Sequence, residues 1–78
     1  MVYCNLVSHN DNIAVYKIGS VISDITGVMR LDCKDGSYYI AQKPQREEIY
    51  ELFVKKMLRK YQSQFRNGII PEKMSYEI

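Results

Sequence analysis

The chain has 78 residues, of which 46% are hydrophobic and 26% charged, and it contains no low-complexity tract, so we expect one small folded domain over residues 1–78. Its net charge of +2 does not demand a polyanionic partner, and two cysteines are too few for the disulfide framework of a secreted domain. Because no secretory leader and no run of 18 apolar residues occurs, we expect a soluble cytoplasmic protein without membrane contact.

The first third of the chain predicts a β-hairpin. Residues 2–7 and 13–18 are rich in β-branched and aromatic types, and turn formers separate them. With Val7 opposite Ile13, one face of the pair collects Val2, Cys4, Leu6, Ala14, Tyr16 and Ile18. The other face collects Tyr3, Asn5, Val7, Ile13, Val15 and Lys17. This second face is more apolar than a solvated sheet face requires.

A second hairpin is predicted from strands at residues 28–34 and 37–42. Apolar and polar side chains alternate along both segments, and Asp35-Gly36 between them favours a two-residue type I′ turn. In that register Cys33 pairs with Tyr38 on an apolar face. The opposite face of this hairpin is polar, as expected for a surface in water.

Residues 45–67 predict one long amphipathic helix that packs on one face of the sheet. Pro44 suits its first turn, and glutamates lie early while lysines and arginines lie late, which complements the helix dipole. At 100° per residue the apolar side chains fall within half the circumference, and Leu52 alone lies on the far side. Gly68 ends the helix through a left-handed residue.

The tail, residues 69–78, predicts a short fifth strand at residues 74–78, where apolar and polar side chains alternate. A helix over residues 45–67 would be about 34 Å long, whereas a seven-residue strand spans about 24 Å. Tyr61 and Phe65 would therefore reach beyond the sheet, and either the tail or a second subunit must cover them. The sequence predicts an α+β fold of four or five antiparallel strands, with the strand order left open.

Candidate catalytic and metal-binding residues are few. His9, the single histidine, lies in a predicted turn near Asp11 without an accompanying nucleophile. Cys4 and Cys33 lack the paired spacing of zinc ligands and occupy the predicted core face, where small apolar thiols are common. We therefore expect no enzymatic activity, no metal and no cofactor.

The surfaces that remain support two hypotheses about function. The leading hypothesis is a non-enzymatic protein-interaction module that either self-associates, as in a homodimer, or binds another protein, through an interface of Tyr3, Val7, Ile13, Val15, Tyr61 and Phe65. The alternative is a nucleic-acid-binding or regulatory protein whose basic helix face supplies the contacts Lys55, Lys56, Arg59 and Arg66. Base stacking on the open sheet face by Tyr3 and Tyr39 is less favoured, since RNA-binding sheets of that kind carry two helices.

Overall fold

A five-stranded antiparallel sheet with two helices on one face makes up the computed structural model, which describes residues 1–77. Its strands are β1 Val2–Asn10, β2 Ile13–Gly19, β3 Gly27–Asp32, β4 Tyr38–Gln42 and β5 Lys73–Tyr76. Its helices are α1 Glu51–Lys60 and α2 Gln62–Arg66, and a 3₁₀ turn spans Ile22–Asp24. The predicted α+β class is thereby confirmed.

The strand order in the sheet is β4-β3-β2-β1-β5. The first four strands form a meander, after which the chain passes through both helices and returns to pair β5 with β1. The tail therefore does form a fifth strand, at Lys73–Tyr76 instead of residues 74–78, and Ile78 lies outside the described residues.

The register of the first hairpin differs from the prediction. Cys4 lies opposite Ile18, two residues from the predicted partner, and β1 continues through a bulge between Leu6 and Ser8. The chain reverses at Asp11, whose φ of 53° is tolerated by its short polar side chain. Because a shift of two residues leaves each side chain on its face, the predicted inner face is still the buried one.

The turn and the register of the second hairpin also differ from the prediction, since Tyr38 lies opposite Leu31 and not opposite Cys33. A type I′ turn needs two residues with positive φ, and here only Gly36 has one, at 81°. In the longer loop that forms instead, Asp32 Oδ1 accepts the N–H of Lys34 at 2.9 Å. Asp35 Oδ1 accepts the N–H and O–H of Ser37 at 2.8 and 2.7 Å. These two carboxylates satisfy loop amides locally, which favours the wider loop over the tight turn.

The core lies between α1 and the inner face of the sheet. Its hydrophobic side chains, each at most 2% exposed, are Val2, Cys4, Ala14, Tyr16, Ile18, Met29, Leu31, Val54, Met57 and Met74. Leu52, predicted on the far side of the helix, is 60% exposed. The buried side chains therefore lie on the faces predicted from the two-residue and 3.6-residue periods even where the register differs, whereas Tyr50, predicted on the apolar side of the helix, is 64% exposed.

The helical region is shorter than predicted. The single helix expected over residues 45–67 is wrong, because α1 begins only after Tyr50, whose backbone is extended with φ −89° and ψ 116°. At Tyr61 the backbone leaves helical geometry again, with φ −98° and ψ 5°, which separates α1 from α2.

A buried carboxylate explains the late start of α1. Asp24 is 1% exposed, and its Oδ2 accepts the backbone N–H groups of Arg46 and Glu47, each at 2.9 Å. Its Oδ1 accepts a hydrogen bond from the hydroxyl of Thr26 at 2.8 Å. The hydroxyl oxygen of Thr26, Oγ1, in turn accepts the N–H of Gln45 at 2.9 Å. We call these five residues the Asp24 cluster. The cluster holds the segment before α1 against the 3₁₀ turn. The backbone N–H groups of residues 45–47, which were expected to lie in a helix, donate to Thr26 and Asp24 instead.

Gly19 at the end of β2 permits the close approach of the 3₁₀ turn. A Cβ atom at this position would overlap the backbone carbonyl of Asp24. Because a backbone atom cannot move aside as a flexible side chain does, only glycine fits here without displacing the Asp24 cluster.

The interruption at Tyr61 docks the helices onto β5. Tyr61 Oη accepts the N–H of Ser75 at 3.3 Å, and Lys60 Nζ donates to the Ser75 carbonyl at 3.3 Å. The tail therefore covers Tyr61, one of the two alternatives predicted. After α2, Gly68 has a φ of 75° and the N–H of Ile69 donates to the Gln64 carbonyl at 2.9 Å, so the predicted left-handed helix end is confirmed.

Tyr16 joins the core to the chain before β5, and the contribution of its hydroxyl to stability can be tested by mutation. The side chain is fully buried and its O–H donates to the Pro71 carbonyl at 2.7 Å. Tyr16→Phe is expected to lower the free energy of unfolding by about 1–2 kcal/mol, measured by urea denaturation. Tyr39→Phe, at a side chain 57% exposed, serves as the control and should change stability by less than about 0.5 kcal/mol. Equal losses in the two variants would contradict a role for this hydrogen bond.

Candidate functional site

The outer face of the sheet, opposite α1, is not covered by any element among residues 1–77. Strand pairing places Val15, Arg30 and Tyr39 side by side across β2, β3 and β4. Val7 is 58% exposed, Tyr39 57% and Ile13 36%, while Val15 is half-buried. The apolar members of this face thus remain accessible to a partner.

The six predicted interface residues do not form one surface. Tyr3, Val7, Ile13 and Val15 lie on β1 and β2, where they belong to the outer face or to the bulge beside it. The other two, Tyr61 and Phe65, lie on the helical side of the sheet and pack against the core. Only the first four can therefore contribute to an outer-face interface.

Charges of both signs lie among the apolar residues of the outer face. Lys17 and Arg30 are exposed, and Asp32 is half-buried on the same strand as Arg30, two residues away. Residues two apart on a strand point to the same side. The outer face therefore presents an acid and a base along one strand.

A groove of about 400 Å³ lies on the other side of the molecule, between the β3–β4 loop and the two helices. Four exposed cationic side chains line it: Lys34, Lys55, Arg59 and Arg66. Its apolar lining is supplied by Leu31, Cys33, Leu58 and Phe65. We call this feature the basic groove.

The cations of the basic groove are not neutralised within the part of the chain described. None of the four has a carboxylate oxygen within 4.0 Å, since the ion pair found among residues 1–77 joins Arg46 and Asp24. Asp35 is the one acidic residue in the lining, and its carboxylate accepts hydrogen bonds from Ser37. Those bonds, led by the one from the Ser37 hydroxyl, hold the pKa of Asp35 below its usual value. Asp35 therefore stays negatively charged, but four cations outnumber this one carboxylate in the lining, so the groove is electropositive.

The basic groove contains part of the predicted nucleic-acid contact set. Lys55, Arg59 and Arg66 line it, whereas Lys56 points elsewhere, with its Nζ 5.9 Å from the ring centroid of Tyr76 on β5. Lys34 was missed by sequence reasoning, because it lies in a loop far from the helix and only the fold brings the two together. The position of Lys34 in a hairpin turn did not by itself indicate a binding residue.

A second hollow, of about 520 Å³, lies between β4 and the segment before α1. Its charged lining residues are Lys43, Arg46, Glu47, Glu48 and Glu51. Tyr38, at its edge, donates its O–H to the Glu51 carboxylate at 3.1 Å, and burial together with this acid raises the pKa of Tyr38 to about 12. Since both signs of charge are mixed here, this hollow does not select one class of ion.

The histidine and the thiols do not converge. His9 is exposed in β1, while Cys4 is buried in the core, where burial raises the pKa of its thiol to about 12. Burial and the charge of Asp32 raise the pKa of Cys33. Within residues 1–77 there is no cluster of three or more His, Cys, Asp or Glu residues with metal-binding proximity. The same residues contain no helix of the length and apolarity needed to span a membrane.

Comparison of the chain with protein-family models, with curated proteins and with solved structures finds no significant match. The outer face and the basic groove are therefore the surfaces that point to a function.

Proposed function

We propose that the protein is a non-enzymatic interaction module that associates with a second copy of itself through the outer face of the sheet. The observation that carries this proposal is the exposed apolar set on that face, Val7 and Ile13 with the half-buried Val15 between them in the sheet. Antiparallel sheets that face water alternate apolar inward with polar outward, and this face departs from that pattern on β1 and β2. We place the protein in the cytoplasm, which both free cysteines support.

A second copy is the partner that the charges of the outer face favour. We place the twofold axis in the plane between the two facing sheets and perpendicular to the strands, so that β3 of one protomer runs against β3 of the other in the opposite direction. Arg30 of each protomer then meets Asp32 of the other, which pairs the exposed base with the half-buried acid. A partner of strongly acidic or strongly basic character would leave one of these two charges opposed to a like charge.

The oligomeric state tests the proposal directly. We expect light scattering on a sizing column to give a dimer for the natural sequence and a monomer for Val15→Glu, because the new carboxylate would be buried without a partner. Leu52→Glu is the matched control: Leu52 is 60% exposed on α1, away from the outer face, and its variant should remain dimeric. A monomeric natural protein, or a dimer indifferent to Val15→Glu, would exclude the outer face as a self-association surface.

A charge exchange tests the pairing of β3 with β3. Arg30→Asp alone should weaken the dimer, as should Asp32→Arg alone, since each puts like charges together. Because Asp32 also accepts the N–H of Lys34 in the loop between β3 and β4, thermal unfolding must show that the variants at Asp32 keep the fold. The double variant should restore association, because each protomer again offers one base and one acid in opposite order. Additive losses in the double variant would rule out this arrangement.

A further inference from the structure

We propose that the basic groove is a binding site for single-stranded nucleic acid, a function separate from self-association on the outer face. The carrying observation is that Lys34, Lys55, Arg59 and Arg66 line one groove without any ion-pair partner among the described residues. Unpaired cations brought together in this way attract an anion with several charges.

The groove is held in shape before a ligand arrives. The loop that carries Lys34 is fixed by hydrogen bonds from its own amides to Asp32 and by the contacts of Asp35 with Ser37. The other three cations stand on α1 and α2, which pack on the core through Leu58 and Phe65. Binding therefore needs little ordering of the backbone, which favours affinity.

The apolar lining of the groove favours a single strand over a duplex and over a purely acidic polymer. Phe65 and Leu58 line the same groove as the four cations, so the groove suits a ligand that offers both phosphates and flat apolar groups. Unpaired bases provide such groups, whereas a duplex keeps its bases stacked inside and an acidic polypeptide has none.

Salt dependence of binding provides the first measurement. Using the full chain and a fluorescently labelled oligothymidylate or oligouridylate, we expect affinity to fall with salt at a logarithmic slope of about −3, the value for four cations on a single strand. Binding to an unlabelled duplex of the same length and to polyglutamate, measured by competition, should be weaker. Absence of oligonucleotide binding at low salt, or equal competition by duplex or polyglutamate, would overturn the proposal.

Two adjacent lysines supply a matched pair of variants. Lys55 lines the groove and Lys56 lies near Tyr76 outside it, although both are exposed on α1. Lys55→Gln should weaken binding about fivefold at 0.1 M salt and reduce the salt slope by about 0.7, while Lys56→Gln leaves both unchanged. Equal effects of the two variants would show that general positive charge, and not the groove, attracts the oligonucleotide.

Phe65 tests the contribution of the bases. Phe65→Leu keeps an apolar side chain against the core but removes the aromatic ring, so affinity for the single strand should fall roughly tenfold with the salt slope unchanged. Thermal unfolding of the variant verifies that the fold is retained. If this variant binds as tightly as the natural protein, the bases do not stack in the groove and the proposal fails.

Discussion

Replacing Asp24 with alanine is expected to destabilise the protein more than any other single polar substitution, and far more than Tyr16→Phe. The side chain is buried, and its carboxylate accepts two backbone N–H groups and the hydroxyl of Thr26. Alanine would leave all three donors without an acceptor, and each unsatisfied buried donor opposes folding. Residues 45–47 would lose their attachment, so we expect faster amide hydrogen exchange there as well as a lower melting temperature.

The dependence of stability on pH separates the stabilisation that comes from the charge of Asp24 from the stabilisation that comes from the shape of its side chain. The N–H of Glu47, followed by that of Arg46 and the Thr26 hydroxyl, holds the pKa of Asp24 below its usual 3.8. A carboxylate whose pKa is lower in the folded state than in the unfolded state stabilises the fold at pH values above its unfolded-state pKa. This stabilisation disappears as the pH falls through the folded-state pKa. The stability difference between the natural protein and Asp24→Asn should therefore be full at neutral pH and shrink below about pH 4. A difference that is constant with pH would contradict the role of the charge.

Met57→Ala is the second substitution with a large expected effect. Met57 is fully buried where α1 packs on the sheet, and its truncation removes apolar contacts and leaves a cavity. The expected loss is about 2–5 kcal/mol. A chain of this size has a total stability of about 4–12 kcal/mol, so the variant should approach the limit of folding at 37 °C. Urea denaturation monitored by circular dichroism measures the loss.

Leu52→Ala provides the control for Met57→Ala within the same helix. Leu52 is 60% exposed, so its truncation should change stability by less than about 0.5 kcal/mol. Both variants introduce alanine into α1, which makes the comparison insensitive to helix propensity. Similar losses at the two positions would mean that α1 does not pack on the sheet through the face that contains Met57.

The surfaces proposed for binding were predictable from the sequence to different extents. The outer face follows from a two-residue period, which is a local property, and Val7, Ile13 and Val15 were assigned to it from the sequence. The basic groove depends on the distance between a hairpin loop and a helix. The sequence predicts the cations of the helix, but only the tertiary structure brings Lys34 beside Lys55 and turns Lys56 away.

By itself, the sequence determined the strand and helix types, the face on which the core side chains lie and the left-handed helix end at Gly68, because periodicity and glycine chemistry act between near neighbours. Tertiary structure decided the registers, the strand order and the start of α1. Registers depend on turn hydrogen bonds that compete closely in energy, as Asp32 and Asp35 show. The start of α1 depends on Asp24, whose partners Arg46 and Glu47 lie more than 20 residues away along the chain. Such contacts leave no trace in local sequence pattern.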